Sequence, residues 1–165
     1  MKSHQQDYYF YVEEKPTNVI VDAEHVLLAE IFDEKPDEWW LEQLKAPLYM
    51  DSKIALDNIS EKSTIAAIQN VLTHEFWGLR LLALQKAKTL ESIEDISELI
   101  KQQATQENNP TKVRSLALKL LAQQENNSEL ISLFESAVQE KSLLMAASGL
   151  YGCLLYTSPS PRDTA

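Results

Sequence analysis

Apolar residues recur three and four positions apart through most of this chain, and the clearest stripe is Val113, Leu116, Ala117, Leu120 and Leu121. These fall at i, i+3, i+4, i+7 and i+8, which is one face of an α-helix. The spacing predicts a helix over 109–124, with Asn109 as N-cap and Pro110 in the first turn, where a missing N–H breaks no helical bond. An Arg-x-x-Ala-Leu phrase occurs twice, at Arg80, Ala83 and Leu84 and again 34 residues later at Arg114, Ala117 and Leu118. Gly149 and Leu150 return to the last two positions after a further 32 residues. Periods of this size mark a helical repeat.

The remaining pattern is read in chain order. Asp7 to Val12 and Asn18 to Val21 are dense in aromatic and β-branched residues and predict two short strands, joined by a charged turn holding Pro16. Two strands make no stable sheet alone, so they are expected to join strands lying upstream or to rest as a ribbon on the helices. Val26, Leu27, Leu28 and Ile31 form a brief apolar stretch before the acidic turn at Asp33. Helices are then predicted over Glu38 to Lys45, closed by Pro47, and over Ser52 to Ser60, capped by Asp51 with Ile54, Ala55 and Ile59 inward. Ser63 to Leu72 follows with Ile65, Ile68 and Leu72 on one side, and His74 to Leu90 carries a stripe wide enough for burial on two sides. Ser92 and Asp95 have capping-box spacing before a helix that carries Ile96, Leu99 and Ile100 to about Ala104. Beyond 109–124, Glu125-Asn-Asn-Ser reads as a turn, Glu129 to Gln139 as a helix with Leu130, Phe134 and Ala137 inward, and Ser142 to Leu155 as the last helix.

The predicted fold is mainly α: an α-solenoid of HEAT-like helix pairs over residues 23–152, preceded by a short β-strand pair within 1–22. Only three glycines and a 44% hydrophobic, 24% charged composition agree with long helices in an ordinary globular chain. From about Cys153 the sequence Cys-Leu-Leu-Tyr-Thr-Ser-Pro-Ser-Pro-Arg-Asp resembles the peptide made when sequencing-adapter DNA is read in frame. Residues 153–165 are therefore expected to be non-native, the protein's own sequence continuing differently after about Gly152.

Charge narrows the range of partners. The formal net charge of -10 repels phosphate backbones, so nucleic acid is not an expected partner. Between Glu13 and Glu42 ten acids meet only Lys15 and Lys35, a run that reads as a solvated face or as an acidic rim for cationic ligands. No apolar run reaches the roughly 20 residues that span a bilayer, and the first residues lack the apolar core of a signal peptide, so no membrane partner is expected. Cys153 is the single cysteine, which excludes an internal disulfide and a CxxC site.

Candidate chemistry is sparse. His74-Glu75 begins an HExxH zinc pattern, but Gly78 stands where the second histidine belongs. His4 and His25 have no second ligand at metal spacing, no glycine-rich phosphate loop occurs, and no serine or threonine is marked as a nucleophile. No catalytic or metal-binding residue is assigned, and substrate-binding residues are not identified. Trp39, Trp40 and Trp77 read as wedges between helices or as the wall of a groove. Arg80 and Arg114 read as a ladder bracing neighbouring repeats or as cavity-facing groups for a peptide carboxylate.

The aromatic strand pair, Lys15-Pro-Thr-Asn-Val-Ile-Val-Asp, Leu27-Leu, Asp33-Glu-Lys-Pro, Trp40-Leu-Glu-Gln-Leu and the Ala-Leu repeats together resemble a known junction. It is similar to the C-terminal part of zinc metallopeptidases of the alanyl aminopeptidase (aminopeptidase N) family, over roughly Tyr8 to Tyr151. The resemblance implies the end of a β-sandwich followed by HEAT-like helices that wall the chamber where peptides lose their N-terminal residues. Zinc, its HExxH ligands and the catalytic Tyr would belong to an upstream catalytic domain, which would be this part's partner together with peptide substrates, and no cofactor is expected here. Lys53 begins the first Ala-Leu repeat where the family pattern more often has Arg. The competing expectation is a self-standing HEAT-repeat scaffold that binds another protein along its concave face.

Overall fold

The 3.6-residue periodicity is realised as eight α-helices in the computed structural model, which describes residues 7–124 and 130–157. They are α1 (Asp37–Gln43), α2 (Tyr49–Asn58), α3 (Thr64–Leu72), α4 (Trp77–Ala87), α5 (Ser97–Thr105), α6 (Thr111–Leu121), α7 (Leu130–Val138) and α8 (Leu143–Thr157). Single 3₁₀ turns, Glu61–Ser63 and Glu94–Ile96, lead into α3 and α5. Each of α3, α5 and α7 packs against the helix that follows it, while α4 packs on α6 and α6 on α8. The core runs through these contacts, with Ile68, Leu84, Ile100, Leu118 and Phe134 fully buried.

Small residues set how closely the helices approach. Ala83 and Ala117, the repeated alanines, are wholly buried in α4 and α6. At the equivalent place in α8, a Cβ on Gly149 would lie 2.5 Å from the Phe134 carbonyl oxygen and 2.8 Å from the Val138 nitrogen. Only a residue without a side chain lets the α8 backbone come this close to α7. Gly152 is pressed in the same way against the buried Phe134 ring.

No strand is present among the described residues, which corrects the expectation of a β-pair at Asp7 to Val12 and Asn18 to Val21. Tyr8, Tyr9, Phe10, Tyr11 and Val12 stand exposed, with Tyr11 fully so. High β-propensity has nothing to act on here, because no neighbouring strand completes the hydrogen-bond ladder and no apolar surface covers the aromatic face.

Helix starts differ from the sequence expectation where a polar side chain is used elsewhere. α2 begins at Tyr49 with Leu48 at its N-cap, so Asp51 lies within the first turn rather than capping it. α4 begins at Trp77 rather than at His74, whose Nδ1 accepts the Phe76 N–H at 2.9 Å and holds a turn before the helix. α6 has Pro110 at its N-cap, and Asn109 turns inward instead. Ser92 Oγ accepts the Glu94 N–H at 3.3 Å, and α5 starts only after the 3₁₀ turn, at Ser97. The turn expected at Glu125 to Ser128 lies outside the described residues.

α8 continues through position 153 to Thr157. Cys153 and Tyr156 pack against the core, and the Tyr156 hydroxyl donates to the Gln124 carbonyl at 2.9 Å. The remainder of the tail, from Ser158, is outside the described residues.

Candidate functional site

Arg80 and Arg114 hold equivalent places on α4 and α6, and both are spent on neighbouring segments. Arg80 donates to the carbonyls of His74 and Glu75, at 2.6 and 2.7 Å, and to Asn109 Oδ1 at 2.7 Å. Asn109 in turn donates to the Gln103 carbonyl at 3.0 Å, and Gln103 donates to the Leu72 carbonyl at 3.0 Å. This chain of bonds links the α3–α4 turn to the α5–α6 turn. Arg114 donates through Nε to the Ala104 carbonyl at 3.1 Å and through its fork to both Glu140 oxygens, tying α6 to the loop after α7. Burial makes the Arg80 guanidinium less basic than usual. Both arginines therefore act as braces, and neither fork is open for a carboxylate.

A second polar cluster fastens the segment before α1. Asp22 and His25 adopt positive φ, a conformation that Asp and His enter more readily than most residues. The Asp22 carboxylate accepts the Val26 and Leu27 N–H groups, and the tight turn aims His25 at the buried Asp51, Nε2 to Oδ1 at 2.9 Å. Lys35 pairs with Asp33 at 2.8 Å, donates to Gln43 Oε1 at 2.7 Å and lies 4.7 Å above the Trp40 ring. Gln43 completes the link by donating to the Asp51 carbonyl at 3.1 Å. Two spans of polar contact thus clip residues 22–35 onto α1 and α2.

α4, α6 and α8 border two adjoining clefts. A cleft of about 360 Å³ is lined there by Lys88, Leu116, Lys119, Leu120, Ala147 and Tyr151, together with Gln123. It adjoins a wider one of about 630 Å³, which also reaches Leu90, Glu91, Ile93 and Glu94. The lining of the smaller cleft combines apolar Leu116, Leu120 and Ala147 with basic Lys88 and Lys119, polar Gln123 and aromatic Tyr151.

No group of three or more His, Cys, Asp or Glu side chains stands where it would hold a metal ion among the described residues. His25 pairs with Asp51, His74 is occupied in the turn before α4, and His4 lies outside the described residues. The tryptophans separate: Trp40 is buried as a wedge beneath Lys35, Trp39 is half-buried, and Trp77 is exposed beside Phe76, whose ring meets Tyr49 edge-on at 5.6 Å. Among the described residues no helix is long and apolar enough to cross a membrane.

Sequence reasoning missed the Asp33–Lys35–Gln43–Asp51–His25 cluster and the inward turn of Asn109. Gln103 carried a readable signal, since it interrupts the apolar face of Ile96, Ile100 and Ala104 and a polar residue there needs a partner. Compared with known proteins, the chain matches no family model, no curated protein and no solved structure.

Proposed function

We propose that this chain is the non-catalytic, helical part of a zinc aminopeptidase of the alanyl aminopeptidase family, stacked as a short HEAT-like α-solenoid that walls a peptide chamber. The observation that carries the reading is the recurrent register: α4 packs on α6 and α6 on α8, and these three helices carry Ala83, Ala117 and Gly149 at the spacing of the sequence repeat. The exposed aromatic segment Tyr8 to Val12 supports it as well, because such residues find cover when further strands are present. Zinc-activated water and a general-base Glu would be supplied by a separate catalytic domain, which this part adjoins. The role of these residues is to wall the chamber and limit access to short peptides.

The test is direct. The pure chain, supplied with zinc and an alanyl arylamide, is expected to release no arylamine; zinc-dependent hydrolysis by this chain alone would sink the proposal. Reading the genomic frame upstream of Met1 separates it from a second reading, a self-standing protein-binding scaffold, which the cleft between α4, α6 and α8 favours. An HExxH with a distal Glu supports the enzyme, and a stop codon with a promoter supports the scaffold.

A further inference from the structure

We infer that the cleft between α4, α6 and α8 is a docking site for an extended peptide segment in which a large apolar residue is flanked by carboxylates. The volume of about 360 Å³ suits one such side chain set on Leu116, Leu120 and Ala147 beside the Tyr151 ring. Lys88 and Lys119 line the same cleft, and no Asp or Glu does. Four of the other lysines are engaged: Lys35, Lys45 and Lys53 pair with Asp33, Glu42 and Asp57, and Lys86 donates to the Leu56 carbonyl. Lys88 and Lys119 are exposed and make no ion pair among the described residues, so their charge is available to a ligand.

The location gives this charge its meaning. The chain as a whole carries -10, yet ionic screening over about 8 Å at physiological salt leaves a bound segment to the nearest groups. The charged residues that line this cleft are Lys88 and Lys119. Glu91 and Glu94 line the adjoining cleft and confine the anionic part of the ligand to the α6 side. A basic segment would meet repulsion at Lys88 and Lys119, and a purely apolar one would leave both charges unanswered. The inference stands apart from the aminopeptidase proposal, because a scaffold would use the same cleft.

The probe is a fluorescent, end-blocked peptide, Ser-Asp-Glu-Leu-Phe-Glu-Asp-Ser, with counterparts in which the four acids become Asn and Gln or become Lys. Anisotropy is expected to report saturable binding of the acidic peptide and about tenfold weaker binding once Lys88→Glu and Lys119→Glu are combined. The double variant is expected to prefer the lysine peptide, an exchange of specificity that a loss of fold would not produce. Lys112→Glu, at the opposite end of α6, changes net charge as much as either single replacement, half as much as the pair, and is expected to leave binding within about twofold. Equal binding of acidic and neutral peptides, equal loss in the Lys112 variant, or no binding of the acidic peptide at millimolar concentration would each overturn the inference. So would capture of phosphatidylserine vesicles in place of the peptide. None of these readouts involves peptidase activity, so the two proposals fail independently.

Discussion

Replacing Gly149 by alanine tests a close backbone contact between α7 and α8. The new Cβ would lie 2.5 Å from the Phe134 carbonyl oxygen, 2.8 Å from the Val138 nitrogen and 3.0 Å from the Ala137 Cβ. The first two are backbone atoms of α7, which cannot rotate away, so α8 must retreat by several tenths of an ångström. Overpacking of this kind costs about 1–3 kcal/mol. Alanine also gains about 1 kcal/mol of helix propensity over glycine, which offsets part of that loss. A net destabilisation of about 1 kcal/mol remains, or roughly 0.5 M in urea midpoint at an m-value near 2 kcal/mol/M. Gly78→Ala is the internal control, since the atoms nearest its Cβ belong to the half-exposed Phe76 ring, at 2.6 Å, and that ring has solvent to swing into. There the propensity gain is expected to prevail. Urea titrations followed by far-UV circular dichroism read both variants. A Gly149→Ala midpoint at or above wild type, together with a lowered midpoint for Gly78→Ala, would refute the reasoning.

Three further outcomes follow from the geometry. Arg114→Ala is expected to cost about 1–2 kcal/mol, because it leaves the Ala104 carbonyl and the Glu140 carboxylate without their charged donor; a double-mutant cycle with Glu140→Gln should return a coupling of about 1 kcal/mol. Asp37 accepts bonds from the Ser60 and Ser63 hydroxyls and the Ser60 N–H, which hold its carboxyl below its ordinary value of 3.8. Its contribution is therefore complete above that value and fades as pH falls through the lowered folded value, so Asp37→Asn should flatten the acid limb of stability below about pH 4, checked by acid titration of both proteins. Leu143, Leu150, Tyr151, Leu154 and Leu155 leave a charge-free apolar stripe on α8, so the chain should self-associate as its concentration rises; Leu150→Lys with Leu154→Lys is expected to restore a monomer in sedimentation velocity.

Periodicity made the helices legible because burial of one face dominates their energetics. Val113, Ala117, Leu120 and Leu121 are buried as their spacing requires, and so are Ile68, Leu72, Leu130 and Phe134. The strands failed for the opposite reason: Tyr8 to Val12 carry propensity without partners, and propensity alone orders no sheet. Helix starts shifted where a polar side chain had a better use than capping, as Asp51 has with His25 and Asn109 with Arg80 and Gln103. Of the candidate groups, Arg80 and Arg114 were legible as equivalent repeat positions, whereas the choice between brace and cavity needed the acceptors. The cleft was not legible, because Lys88, Lys119 and Tyr151 come together only when three helices are stacked.

The three tryptophans all lie in the first half of the chain, on α1 and at the start of α4. The principal helix contacts, meanwhile, join only elements that are one or two places apart, so α1 has no substantial contact with α7 or α8. Fluorescence therefore watches one end of the molecule while circular dichroism watches all of it. Should the C-terminal helices loosen first, the helical signal would fall while the tryptophan environment still looked native, and amide exchange would grade smoothly from α8 inward. The molecule carries a built-in reporter of whether its two ends melt together.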